Sequence, residues 1–241
     1  MPKAKYEEIY RSLKRKIEGG TYPFGELMPS ESILVEVFEC SRNTVRRAIA
    51  GLAEEGYVQP IHGKGVRVIY QPVERTAFTV GGIETFQETV ERNHLSASTK
   101  VIAFRCCQAD EALSQLSGFP VGTQVYYVER VRNLSGKPLI LDINVFLASL
   151  VPNLTEEIAQ SSVYAYIEQV LGMQIATSKR RITVEHATEL DERVLELGSY
   201  DCLAVISGQT FNADGVMFEY TQSRHQADYF CFLNTATRKR V

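Results

Sequence analysis

Two groups of polar side chains in this 241-residue chain stand at spacings that suit a ligand. The first is Ser41-Arg42-Asn43-Thr44-Val45-Arg46-Arg47. Ser41 can accept a hydrogen bond from the free amides of a helix's first turn, and Val45, Ala48, Ile49 and Leu52 then fall on one apolar stripe. Arg42, Asn43 and Arg46 face outwards together, with Thr44 and Arg47 in the same run. A cationic face at a helix N-terminus adds side-chain donors to backbone amides and the helix dipole, which suits a phosphate backbone and the guanine edges of a major groove. His62-Gly63-Lys64-Gly65 follows closely. Its glycines let the backbone turn tightly and approach a groove without a Cβ in the way, with Lys64 at the tip.

The second group emerges from strand alternation. Arg130 and Arg132 share a face with Tyr126 and Val128, Asp142 and Asn144 share one on the next strand, and Glu219, Thr221, Ser223 and His225 share one farther on. Guanidinium forks suit phosphate oxygens, and the acidic and hydroxyl groups suit sugar hydroxyls. Two readings stay open here: an anion pocket, or a solvated sheet face whose arginines pair with neighbouring carboxylates.

The elements that must hold these groups are legible on either side. Tyr6, Ile9, Tyr10, Leu13 and Ile17 recur at helical spacing up to Gly19-Gly20. Pro29 and Ser30 open a second helix carrying Ile33, Leu34, Val37 and Phe38 inward, and Glu39-Cys40 turns into the third, which Gly56 closes. Strands over 57–61 and 66–70 flank the glycine hairpin. Each piece alone fits an ordinary solvated lobe. Their order and compactness predict a winged helix-turn-helix over residues 1–70 that binds DNA. Residues 71–77, with Pro72, read as a linker. Beyond it, strands are expected over 101–105, 125–134, 139–146, 175–185, 203–212, 217–225 and 230–233, and short helices over 84–91, 110–116, 163–171 and 188–197. Hairpins at Ser135-Gly136-Lys137-Pro138 and Ala213-Asp214-Gly215-Val216 imply an antiparallel sheet, so residues 78–237 form an α+β domain.

Composition agrees with two domains. The hydrophobic share of 44% can fill two cores. Eleven basic against nine acidic residues up to Tyr70 give net +2, which leaves −5 for the rest of a chain whose total is −3. A mildly basic head on an acidic body aims the head at nucleic acid. Five cysteines, an odd number without a Cys-x-x-Cys pair, and four scattered histidines indicate neither a disulfide framework nor a metal site. No cofactor is expected. An apolar signal core and a membrane-length apolar run are both missing from the sequence, so a cytoplasmic, reduced location is expected.

These motifs also carry a resemblance. Leu27-Met28-Pro29-Ser30-Glu31, Ser41 to Ala48, Leu52-Ala53-Glu54-Glu55-Gly56-Tyr57 and Gly63-Lys64-Gly65 resemble the DNA-binding domain of the GntR family of bacterial repressors. The resemblance implies that Arg42 and Arg46 read guanines, that Ser41 and Thr44 hold phosphates, and that His62, Gly63 and Lys64 reach the groove edge or the minor groove; Ser30, Asn43 and Arg47 complete the expected DNA-binding set. Ser32 stands where the family often has Arg. The body is similar to the effector-binding (UTRA) domain of the HutC subgroup, whose fold is related to chorismate lyase. Leu139-Ile140-Leu141-Asp142, Val151 to Thr155, Val163 to Glu168 and Tyr220 to His225 resemble the trehalose-operon repressors of that subgroup. That likeness implies a phosphate held by Arg130, Arg132, Ser162 and Tyr164 with help from Thr85 and Phe86, and a sugar held by Asp142 and Glu219. Asp142 replaces a Glu, and His225 a Tyr, of the amino-sugar sensors, so trehalose 6-phosphate is the effector implied.

The resulting expectation is a repressor, homodimeric on operator DNA, released by a sugar phosphate. A regulator of another phosphorylated sugar is the neighbouring alternative. A chorismate lyase-like enzyme is the rival class, although the sequence offers no nucleophile–base pair or metal constellation.

Overall fold

The computed structural model describes residues 2–71, 78–79, 83, 85–92, 95–233 and 236. They divide into two compact units, one holding the described residues up to 71 with Thr79 and those from Phe232 on, the other Phe78 and those from 83 to 231. The expected linker, apart from Gln71, lies outside the described residues, as does the start of the helix expected over 84–91.

In the first unit, α1 (Pro2–Glu18), α2 (Glu31–Phe38) and α3 (Arg42–Glu54) precede a hairpin of β1 (Val58–Ile61) and β2 (Gly65–Val68). Ile9, Leu13 and Ile17 of α1 meet Val45, Ala48, Ile49 and Leu52 of α3 in one buried core, closed by Leu34, Val58 and Val68. All four α3 positions of the expected stripe are therefore inside. On α2 the expectation needs correction: Leu34 is buried and Phe38 packs against the core, but Ile33 and Val37 are 49% and 60% exposed. The helix is too short to present two inward stripes, and Val35, one position along from Leu34, takes the place assigned to Ile33 and Val37. Ser30 and Ser41 cap α2 and α3 by accepting from the Ile33 and Thr44 amides at 3.4 and 3.2 Å. Between the helices Glu39 adopts a left-handed conformation (φ 47°), which sets the sharp turn into Ser41.

The second unit contains α4 (Phe86–Arg92), β3 (Ala97–Gln108), α5 (Glu111–Ser117), β4 (Gln124–Leu134), β5 (Lys137–Leu147), α6 (Glu156–Gln160), α7 (Val163–Ala165), β6 (Ile175–His186), α8 (Glu189–Val194), β7 (Cys202–Asn212) and β8 (Met217–Gln226). Six strands make one antiparallel sheet in the order β3-β4-β5-β8-β7-β6. The β4–β5 turn narrows to Ser135 and Gly136, both at positive φ, so Lys137 and Pro138 already belong to β5. Opposite Arg132 and Asn133 the β5 partners are Ile140 and Pro138, which leaves Leu139 as a bulge. α5 and α8 cover one face, where Val125, Val131, Leu141, Val145, Leu203 and Val205 are buried. Over the other face lie α6 and α7, and here the expected helix over 163–171 breaks: one α-turn passes into a single π-turn at Tyr166–Val170. Arg224, on the α8 side, is held by buried Asp191 and by the more exposed Glu185 in an ion-pair network that caps that layer.

Candidate functional site

Two polar surfaces survive once these cores are assigned. On the first unit, Ser30, Ser41, Arg42, Asn43, Arg46 and Arg47 are exposed and Thr44 is half-buried. The guanidinium of Arg46 reaches back to the Glu31 carboxylate at 2.9 and 3.1 Å, and Arg42 donates to Ser32 Oγ at 3.4 Å. The first turn of α2 thus tethers both arginines on the outer face of α3. Arg47 departs from that face; its guanidinium lies 4.5 Å from the Tyr6 ring, against α1. In the wing, His62, Gly63 and Lys64 are all exposed. Gly63 and Gly65 have φ of 71° and 111°, conformations L side chains rarely adopt, and no atom lies within 4 Å of a Cβ built on either.

In the second unit the register lines up the other group. Arg130 pairs with Asp142, Asp142 with Ser223, and Asn144 with Thr221, so β4, β5 and β8 turn these residues to one face. Arg130 and Arg132 are each 5% exposed, which rules out the solvated-face reading. Arg132 donates to Asp142 at 2.7 Å and to Thr99 Oγ1 at 2.7 Å, and its guanidinium stacks 4.6 Å from the Phe86 ring. Arg130 donates to the Ala159 carbonyl at 3.1 Å and to Asn144 Oδ1 at 2.8 Å, while its Nε is buried with no hydrogen-bond partner among the described residues. Asn144 passes the network on to Glu219 and Thr221, both at 3.0 Å. Tyr164 donates to the other Glu219 oxygen at 2.5 Å. Ser162 caps α7 two residues before Tyr164. Thr85 caps α4 directly before Phe86, its hydroxyl accepting from the Glu88 amide at 3.1 Å.

Burial dominates the electrostatics of this cluster. It lowers the Arg130 pKa to about 9, with Arg132 adding repulsion and Asp142 and Glu219 opposing both. Burial would raise the Asp142 pKa, but Arg132, Arg130 and the Ser223 hydroxyl outweigh it and hold the carboxyl below its ordinary range. For Glu219 burial wins and the pKa rises, against donation from Tyr164 and the charge of Arg130. His225, buried beside Phe230, has its pKa lowered to about 4 by burial, with Asp142 opposing. Taking two guanidinium groups and two carboxyls out of water costs several kcal/mol per ion, so such a cluster is a poor way to gain stability. What it offers chemically is a set of buried guanidinium and hydroxyl donors beside two carboxyls on one sheet face.

The structure brings together Phe86, Arg130, Arg132, Asp142, Tyr164, Glu219 and His225 on one sheet face and its cover, and sets Thr85 and Ser162 in helix caps at its margin. Sequence reasoning left out Thr99, Thr210 and the Ala159 carbonyl. Strand parity could have found the first two, since Thr99 pairs with Arg132 and Thr210 with Glu219; nothing in the sequence marks a main-chain acceptor. Among the described residues no three His, Cys, Asp or Glu side chains converge for a metal ion, and no helix is long and apolar enough to cross a membrane. All five cysteines are free thiols.

Comparison with known proteins matches residues 5–68 to the gntR family of bacterial regulatory proteins and residues 92–231 to the UTRA domain. The HTH-type transcriptional regulator TreR of Bacillus subtilis is 35% identical over 97% of this chain and 98% of its own. The solved effector-binding domain of the B. subtilis trehalose repressor is 34% identical, covering 59% of this chain and 99% of its own with a TM-score of 0.55. YydK of B. subtilis superposes over 97% of this chain and 99% of its own with a TM-score of 0.81 at 22% identity, a likeness of fold alone. Matched in both halves and along nearly its whole length, the chain belongs to the GntR family of bacterial regulatory proteins, as a helix-turn-helix transcriptional regulator whose second half is a UTRA domain.

Proposed function

We propose that this regulator represses a sugar-utilisation operon, that of trehalose, and leaves its operator when a phosphorylated sugar, trehalose 6-phosphate, enters the polar cluster of the second domain. The domain limits that go with this reading are 1–70 for the DNA-binding head, 71–77 for the linker and 78–237 for the effector domain. A homodimer presents one head to each half of a palindromic operator. Arg42 and Arg46 read bases, Ser30, Ser41, Thr44 and Arg47 hold the backbone with Asn43 beside them, and the His62–Lys64 tip reaches the edge of the adjoining groove, where Lys64 meets phosphates. In the body, Arg130, Arg132, Ser162 and Tyr164 take the phosphate, with Thr85 and Phe86 at its rim, while Asp142, Glu219 and His225 take the sugar.

One observation carries the effector half of this reading: the buried Nε of Arg130, which has no hydrogen-bond partner among the described residues, beside a second buried arginine. A buried donor left unmade costs about 1–3 kcal/mol, and a phosphate oxygen would satisfy it. Similarity to the trehalose regulator supports the choice of sugar.

The test is Arg130→Ala. The variant should hold an operator fragment like the parent and no longer release it when trehalose 6-phosphate is added, with a thermal melt to establish that it is folded. Release at ordinary effector concentrations would show that the pocket has been assigned to the wrong residues.

A further inference from the structure

Arg180 stands outside every group named so far. It lies in β6, the outer strand of the sheet, opposite Gly208 of β7, which is itself opposite Thr221 of β8, and Thr221 is opposite Asn144 of β5. Those pairings put Arg180 on the same sheet face as the buried cluster, two strands from Thr221. Unlike Arg130 and Arg132 it is exposed, and it makes no hydrogen bond or ion pair among the described residues. Its stem runs across the sheet. A Cβ built on Gly208 would stand 3.4 Å from Arg180 Cγ, an ordinary contact, and 2.9 Å from the Lys179 carbonyl, so the arginine's stem passes over Gly208 and the neighbouring backbone is what excludes a larger residue there. Tyr164 lies against the same stretch of β7, its hydroxyl 3.4 Å from Oγ1 of Thr210, which shares a sheet face with Gly208; the Arg180 charge opposes the rise that burial and Glu219 impose on the phenol's pKa.

We propose that Arg180 is a further effector-binding residue, an uncommitted guanidinium at the solvent side of the cluster that closes on the ligand's anionic group over Tyr164. The two buried arginines already spend donors on Asp142, Thr99, Asn144 and the Ala159 carbonyl. An entering dianion needs more positive charge than they leave free, and an exposed arginine supplies it without a standing desolvation cost. This inference rests on the reading of the cluster as a sugar-phosphate site.

Calorimetric titration of the full chain with trehalose 6-phosphate and with unphosphorylated trehalose separates the two ideas. Arg180→Ala should weaken trehalose 6-phosphate by about tenfold and leave any trehalose binding unchanged, since charge-assisted contacts to phosphate act only on the phosphorylated ligand. Arg181→Ala removes the same charge one residue along, on the opposite face of the sheet, and should bind both like the parent. Parental affinity in Arg180→Ala, or equal weakening in Arg181→Ala, overturns the inference while leaving the sugar-phosphate reading intact. If the parent protein itself binds neither trehalose 6-phosphate nor another phosphorylated sugar, the reading of the site fails and the inference falls with it.

Discussion

His225 ties the site to pH. Its pKa falls from 6.5 to about 4 on folding, so between those values the unfolded chain binds a proton that the folded chain refuses. Stability therefore drops as the pH falls from 6.5 towards 4, by up to about 1.4 kcal/mol per pH unit for this one group. His225→Gln should flatten that part of the stability profile in chemical denaturation at a series of pH values; an unchanged slope would assign the acid sensitivity to other groups. Asp142 acts lower on the scale. Its depressed pKa contributes stability that is present above the ordinary carboxylate value and is lost as the pH falls through the folded one. Alternation alone put Arg130, Asp142, Glu219 and His225 on shared faces. Whether those faces were wet was not legible, because the cover comes from α6, a five-residue helix without apolar periodicity, and from the Ala159 carbonyl, which no side chain announces.

Among the elements, α3 read cleanly: its cap and its four-residue stripe appear as the sequence indicates, since both are local rules of helix geometry. On α2 the reading went wrong. Ile33 and Val37 fit a helical period as well as Leu34 and Phe38 do, and only the position of α1 and α3 decides which stripe is buried. The same first turn of α2 supplies Glu31, whose carboxylate fixes the fork of Arg46. Arg46→Lys keeps the charge and loses the fork, so discrimination between operator and base-substituted operator should fall by about 1–3 kcal/mol while non-specific affinity holds. Competition binding with the two duplexes measures this. Lys64→Ala at the wing tip should act differently, weakening all duplexes alike and reducing the salt slope by about 1. A sequence-selective loss at Lys64 would move it from the backbone to the bases.

For the whole molecule, the proposed reading divides the labour between a mildly basic head, in which electrostatic affinity for DNA resides, and an acidic body that contributes control. Control requires the effector to bind the DNA-free arrangement more tightly than the DNA-bound one, and a coupling of about 1–3 kcal/mol changes operator affinity roughly 5- to 150-fold. Reciprocity then demands that operator weaken effector binding by the same factor. The most direct measurement is fluorescence anisotropy of a labelled operator fragment titrated with the protein, with and without saturating trehalose 6-phosphate, at one fixed salt concentration. A rise in the dissociation constant within that range with trehalose 6-phosphate, and none with trehalose, is the predicted result. An operator affinity that no sugar phosphate alters would contradict the account.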